Sequence, residues 1–189
     1  MSRLRLVVVG ASAGAIDALG AFLPGLPADF SAPILVVVHV PPHRQSHLVE
    51  VLQRHSALKL REAEDKAPAV GGNVYFAPPD YHLLVERDGS MSLSSEEAVS
   101  YSRPSIDVLF ETAADAFGAA TAAVVLSGAN SDGARGAARI ARAGGLVVVQ
   151  NPDSAMATAM PLAALAACPG GRVAAPSRIA EVLLKALPA

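Results

Sequence analysis

A hydroxyl, an imidazole and a carboxylate each follow a short aliphatic run in this 189-residue chain. Ser12 sits in Gly10-Ala11-Ser12-Ala13-Gly14 after Leu6–Val9, and His39 closes the run Ile34–Val38. Asp132 sits in Ser127-Gly128-Ala129-Asn130-Ser131-Asp132-Gly133 after Val124–Leu126. Serine is a poor nucleophile until a base takes its proton, which neutral imidazole does near neutral pH. A carboxylate that accepts the other imidazole N–H fixes the tautomer and stabilises the imidazolium. The set predicts a Ser-His-Asp triad and a serine hydrolase. Its chain order, Ser…His…Asp, differs from the Ser…Asp…His of α/β-hydrolases.

Each residue also has a plainer role open to it. Gly-x-Ser-x-Gly between a strand and a helix is the sharp turn that exposes a nucleophile, but Ser12 is equally placed to cap the following helix. His39, ending a wholly apolar strand, either packs with one nitrogen satisfied or projects into a crevice. Asp132 precedes Gly133-Ala134, where an aspartate commonly caps a helix, and that job does not exclude the other. Two rival chemistries fit poorly. A dinucleotide fingerprint needs a glycine where Ser12 stands and an acidic residue where His39 ends the second strand. A metal site on His39, His43 and His47 is interrupted by Pro41 and Pro42 and lacks a completing carboxylate or thiol. No metal or cofactor is expected. His82, after Pro78-Pro79-Asp80, carries no local chemical signal but is placed to reach the crevice.

Short aliphatic runs bounded by Gly, Pro or Asn read as buried parallel strands, and ligands bind outside the carboxyl ends of such strands in open α/β sheets. Strands are predicted at Leu4–Val9, Ile34–His39, Thr121–Leu126, Leu146–Gln150 and Arg172–Ala174. Helices are predicted at Ile16–Phe22, Gln45–His55, Ser105–Phe117, Ala134–Ala143, Met160–Ala167 and Arg178–Leu187. This alternation implies a mainly parallel sheet with right-handed crossovers. In the middle, Asn73–Ala77, Tyr81–Glu86 and Ser90–Leu93 are short runs, two of them joined through Arg87-Asp88-Gly89. Asp-Gly between such runs is a strong hairpin signal, so an antiparallel edge or flap is expected there. The charges of Glu62–Asp65 read as a solvated strand end.

Composition narrows the function. Seventeen acidic and fifteen basic residues leave a net charge of −2, without the basic field that attracts nucleic acid. The one cysteine, Cys168, rules out an intramolecular disulfide and suits an inert thiol in a reducing compartment. No apolar run approaches the roughly 20 residues that span a bilayer. Arg3, Arg5 and Leu6–Val9 ahead of Ala11-Ser12-Ala13 imitate a secretion signal, but cleavage there would remove the first strand and its turn. A cytoplasmic location is expected, without membrane insertion.

Further motifs follow in order: His39-Val40-Pro41-Pro42, Glu62-Ala63-Glu64-Asp65, Ala77-Pro78-Pro79-Asp80-Tyr81-His82-Leu83, Arg103-Pro104-Ser105-Ile106-Asp107-Val108-Leu109-Phe110, and Gln150-Asn151-Pro152-Asp153-Ser154-Ala155-Met156 with Met160-Pro161. With the Ser12 and Asp132 loops, this ordered set resembles the catalytic domain of CheB-type protein-glutamate methylesterases, the chemotaxis receptor demethylases, from about Leu6 to Leu187. The resemblance implies Ser12 as nucleophile, His39 as base and Asp132 as orienting carboxylate. It implies a three-layer α/β/α domain with a mainly parallel, doubly wound sheet and a small antiparallel hairpin. The implied reaction is hydrolysis of glutamate γ-methyl esters on receptor cytoplasmic helices, releasing methanol; some members also deamidate receptor glutamine.

The chain departs from the family pattern at two loops. The family commonly has Ser-Thr-Gly-Gly where this chain has Ser12-Ala13-Gly14-Ala15, and Gly-Met-Gly where it has Gly128-Ala129-Asn130. Backbone N–H groups at Ala13 and Ala129 therefore become the oxyanion candidates, with Asn130 adding a donor or capping its loop. Loss of one oxyanion donor costs about 3–4 kcal/mol, which is compatible with a slower or differently selective enzyme. Members usually carry a preceding phospho-receiver domain, whereas the first strand here begins close to Met1. One catalytic domain over residues 1–189 is expected, constitutive or controlled by a separate regulator in trans. The rival readings are a non-catalytic CheB-like module that binds receptor or partner, and an esterase acting on another substrate.

Overall fold

The computed structural model describes residues 4–39 and 47–187. In chain order the elements are β1 (Leu6–Ala11), α1 (Ala15–Phe22), β2 (Ile34–Val38), α2 (Leu48–Gln53), β3 (Lys59–Glu62), β4 (Asn73–Phe76), β5 (His82–Val85) and β6 (Met91–Ser94). They continue with α3 (Ile106–Phe117), β7 (Thr121–Val125), α4 (Ala134–Arg142), β8 (Leu146–Gln150), α5 (Ala159–Ala167), β9 (Arg172–Ala174) and α6 (Pro176–Leu184). Seven strands form one parallel sheet in the order β3-β4-β2-β1-β7-β8-β9.

The central strands β1, β2 and β7 are buried along their whole length, which requires helices on both faces of the sheet. Alternate side chains of β1 supply the two cores. Val7, Val9 and Ala11 pack with Leu19 and Phe22 of α1, Leu52 of α2, and Ile179 and Leu183 of α6. Leu6 and Val8 pack with Ile106, Leu109 and Phe110 of α3, Ile140 of α4 and Met160 of α5. The result is the expected three-layer α/β/α architecture.

From β1 the chain winds outward through β2 to β4 and β3, and from β7 it winds the opposite way through β8 to β9. The strand order thus reverses between β1 and β7, the place where an open α/β sheet leaves a crevice at its carboxyl edge. Register makes that edge level: Ala11 pairs with Val38 and Gly10 with Val125. The residues that follow are therefore side by side.

Two expectations change. Asn73–Ala77 was expected to join the antiparallel edge, but β4 lies parallel between β2 and β3. Val74, Tyr75 and Phe76 are all buried, a two-sided burial that a solvent-facing flap does not offer. β3, read only as a charged strand end, is the edge strand of the sheet; Leu60 alone is buried while Lys59, Arg61 and Glu62 face solvent, and charge is a common protection of such an edge. The Asp88-Gly89 hairpin forms as expected, with β5 and β6 antiparallel and Gly89 at a left-handed φ of 89°. Gln45 and Ser46, the expected start of α2, and His43 lie outside the described residues. Among the described residues no helix is long and apolar enough to cross a membrane.

Candidate active site

Ser12 follows β1 in a turn held from the neighbouring loop. Its N–H donates to Ser127 O at 2.9 Å, and its carbonyl accepts from Ala15 N at 3.0 Å. The Ser127 hydroxyl donates to Ala13 O at 2.6 Å and accepts from Ala157 N at 2.9 Å, and Gln150 Oε1 accepts from Ser127 N at 2.8 Å. Gly14 has φ 82°, and a side chain there would press on Met156 Cβ and Ser127 Oγ. Ser12 does not cap α1: Gly14 occupies the cap position and no side chain caps the helix. Ser12 Oγ is therefore half-buried and uncommitted among the described residues.

His39 is placed by sheet pairing, since its N–H donates to Ala11 O at 3.1 Å. That bond puts the imidazole on the strand beside Ser12. Nε2 lies 2.8 Å from Asp132 Oδ2, leaving Nδ1, on the other side of the ring, as the nitrogen that takes a proton. No hydrogen bond joins Ser12 Oγ to His39 among the described residues; such contacts often close only around substrate. Asn130 approaches instead. Its Oδ1 accepts from Asp132 N at 3.1 Å, so its amide nitrogen is turned toward His39 Nδ1, at 3.5 Å.

Asp132 is the most strongly held member. Oδ2 also accepts from Ile106 N at 2.7 Å, and Oδ1 accepts from Asp107 N and the Ser105 hydroxyl, both at 2.9 Å. A carboxylate on the first N–H groups of a helix gains from unpaired donors and from the helix dipole. Asp132 thus caps α3 rather than α4, the helix it precedes. Asp107, at the start of α3, reciprocates by accepting from Gly136 N of α4 at 2.8 Å. Burial alone would raise the Asp132 carboxyl, but hydrogen bonds from His39, Asp107, Ile106 and Ser105 outweigh it and hold the group below its ordinary value of 3.8. Asp107 goes the other way: burial raises it, against its bond from Gly136 and with help from the nearby Asp132 charge.

Gly10 lets this anchor reach the sheet. A Cβ there would run into Ile106 Cγ2, so the start of α3 rests directly on β1. His82 is 2 % exposed; Nδ1 accepts from Ser105 N at 3.1 Å and Nε2 donates to Glu97 O at 3.0 Å. It positions Ser105 and has no open nitrogen for chemistry.

Two cavities meet at His39. One, of about 410 Å³, is lined by Ser12, Ala15, Ile16, His39, Leu48 and Met156. The other, of about 310 Å³, is lined by His39, Asp80, Tyr101, Ser102, Arg103 and Pro104. Beside it Val99 and Ser102 exchange backbone hydrogen bonds of 3.1 and 2.9 Å around Ser100 and Tyr101, whose φ values are 52° and 62°. Such two-residue turns select Gly or Asn, and another residue type held there costs about 1–2 kcal/mol.

A family model described as CheB methylesterase matches residues 7–183. The chain belongs to the CheB methylesterase family. A Leptospira interrogans relative is 43% identical over 179 residues, spanning 95% of this chain and 93% of its own. Protein-glutamate methylesterase/protein-glutamine glutaminase 2 of Caulobacter vibrioides is 40% identical over 162 residues, 84% of this chain and 47% of that protein. The crystal structure of the Thermotoga maritima CheB methylesterase catalytic domain superposes with a TM-score of 0.92 at 32% identity, covering 97% of this chain and 99% of that one.

Against the CheB pattern the candidates sort themselves. His39 and Asp132 are in contact, and Ser12 stands on the adjacent strand in the same crevice. Ala13 is exposed beside Ser12, and its N–H has no acceptor among the described residues. Ala129 is likewise exposed with an unengaged N–H, but no contact ties it to Ser12 or His39 among the described residues. Asn130 is committed to its loop and to His39. Residue reasoning missed Ser105, Ser127, Gln150 and Met156, although all four lie in or beside motifs that carry the family resemblance. For the metal alternative, His39 and His47 have separate carboxylate neighbours, Asp132 and Glu50. Cys168 is buried, and burial pushes its thiol up.

Proposed function

We propose that this chain is a serine esterase that hydrolyses glutamate γ-methyl esters on the cytoplasmic helices of chemotaxis receptors. The observation that carries the proposal is the anchored pair His39–Asp132 set level with an uncommitted Ser12. In the mechanism, His39 Nδ1 takes the Ser12 proton while Ser12 Oγ bonds to the ester carbonyl carbon. The tetrahedral oxyanion turns to the free N–H of Ala13, with Ala129 as the second candidate donor. The C–O bond to the methoxy group then breaks, and the proton on His39 leaves with it as methanol. Water, deprotonated by His39, attacks the acyl-enzyme and yields the glutamate carboxylate and free Ser12. Asp132 holds Nε2–H throughout and stabilises the imidazolium. Attack on a receptor glutamine by the same steps releases ammonia, which accounts for deamidation as a second activity.

Family membership and the names carried by relatives such as the Caulobacter protein support this substrate class. We propose further that the sheet and its helices act as one catalytic domain in the cytoplasm. The decisive experiment is methanol release from methylated receptor by the unaltered protein and by Ser12→Ala. Loss of about 10⁴-fold or more is expected, by analogy with removal of the nucleophile from other triads. A fluorophosphonate probe separates the rivals. Labelling at Ser12 that depends on His39 supports an esterase, whereas receptor binding without labelling or turnover would establish a non-catalytic module. Labelling with turnover of other esters only would move the substrate elsewhere.

A further inference from the structure

Tyr101 is the most exposed large hydrophobic residue among the described ones, at 104%. It is not on a loose loop. The Val99–Ser102 turn is closed by two backbone hydrogen bonds, and both of its central residues are held at positive φ without being glycine. Arg103 fastens the base of this segment, with Nη1 donating to Ser95 O at 2.9 Å and to Glu96 O at 3.1 Å. Arg103 Nε is buried with no acceptor among the described residues. Both residues line the cavity that His39 also lines. Across His39, the Ser12 cavity presents two more exposed apolar side chains, Ile16 at 49% and Met156 at 71%. Strained backbone persists where the surroundings over-determine it and clusters at ligand clamps. An exposed tyrosine supplies large contact area at low entropic cost.

We propose that Tyr101 is a specificity-determining residue that packs against the receptor polypeptide beside the esterified glutamate. It forms the flank of the active site opposite Ile16 and Met156. Its occupant is the apolar surface of the substrate helix itself, because the wall is continuous with His39 and its aromatic face is otherwise bare. A small ester fills only the Ser12 crevice and never reaches Tyr101. The inference rests on the esterase reading above, and the two fail differently.

The test compares the unaltered protein with Tyr101→Ala and Tyr101→Phe on a glutamate-methylated receptor fragment and on p-nitrophenyl acetate. Tyr101 contacts no core, so both variants fold. Tyr101→Ala is expected to raise KM for the receptor fragment at least about fivefold, the loss typical of a truncated aromatic contact. Its kcat, its p-nitrophenyl acetate turnover and its fluorophosphonate labelling stay within about twofold. Tyr101→Phe, which keeps the ring, restores the receptor KM. An unchanged receptor KM in Tyr101→Ala overturns the assignment. So does a parallel fall on p-nitrophenyl acetate, which would place Tyr101 in the machinery around His39. If the unaltered protein labels at Ser12 yet releases no methanol from the receptor fragment, the receptor is not its substrate and the Tyr101 assignment falls with that reading, whatever the Tyr101 variants do.

Discussion

Asp132→Asn separates a catalytic aspartate from one that only caps a helix. The carboxylate accepts four hydrogen bonds, two on each oxygen: Asp107 N and Ser105 Oγ on Oδ1, Ile106 N and His39 Nε2 on Oδ2. Asparagine keeps one acceptor oxygen and replaces the other with an NH2 group. If the oxygen stays toward Asp107 and Ser105, the NH2 confronts two donors, the Ile106 N–H and His39 Nε2–H. The imidazole escapes by moving its proton to Nδ1, which leaves no lone pair to take the Ser12 proton. A wrong tautomer of this kind lowers kcat by about 10⁴-fold in a serine protease. The Ile106 N–H stays orphaned and buried, at a cost of about 1–3 kcal/mol. Each kcal/mol lowers Tm by about 2–4 °C in a domain of this length. The assay is methanol release and fluorophosphonate labelling at a temperature well below the measured Tm, so that the protein is folded throughout. A variant that loses stability but keeps kcat within about tenfold would show Asp132 to be only a cap, and the proposed mechanism would fall.

Two further predictions follow from the packing and charge around that anchor. Gly10→Ala forces a methyl group into Ile106 and lifts the start of α3 from β1; overpacking of this kind costs about 1–3 kcal/mol, read as a lower Tm, and methanol release should fall with it. A Tm unchanged within a degree would show that the contact is not tight. The second concerns acid. Because the native Asp132 value lies below its ordinary one, its stabilising contribution is complete above about pH 4 and disappears as pH falls through the lowered native value. Asp107, raised in the native state, acts oppositely: its contribution is full below the unfolded value and is lost as pH rises through the raised one. Urea midpoints between pH 6 and pH 2 should therefore fall less for Asp132→Asn than for the unaltered protein. Parallel curves would refute the assignment of that acid loss to Asp132.

The parallel core was legible because Leu6–Val9, Ile34–Val38 and Val124–Leu126 are apolar without alternation, a pattern that only two-sided burial explains. β4 and β3 were less so. A four-residue run such as Asn73–Phe76 has too few residues to show a period, and β3 carries the charges of an exposed edge. The site divides the same way. Its three residue types could be picked out because each stands directly after a buried strand. Their supports could not, because Ser105, Ser127 and Gln150 are ordinary polar residues whose bonds to Asp132, Ala13 and Ser127 each reach 23 or more positions along the chain.

Sequence by itself thus determined which residue types stand on the carboxyl edge, the strand–helix alternation that puts them there, and the family. Only the tertiary structure decided how they are held. The helix cap open to Asp132 beside its catalytic role was that of its own helix, α4; it caps α3 instead, while Asp107 of α3 bonds back to α4. Local capping propensity counts only donors a few residues away. Packing α3 against β1 over Gly10 brought stronger donors to Asp132 from 25 to 27 positions earlier. The nearest unpaired helix terminus in space, not in sequence, took the carboxylate.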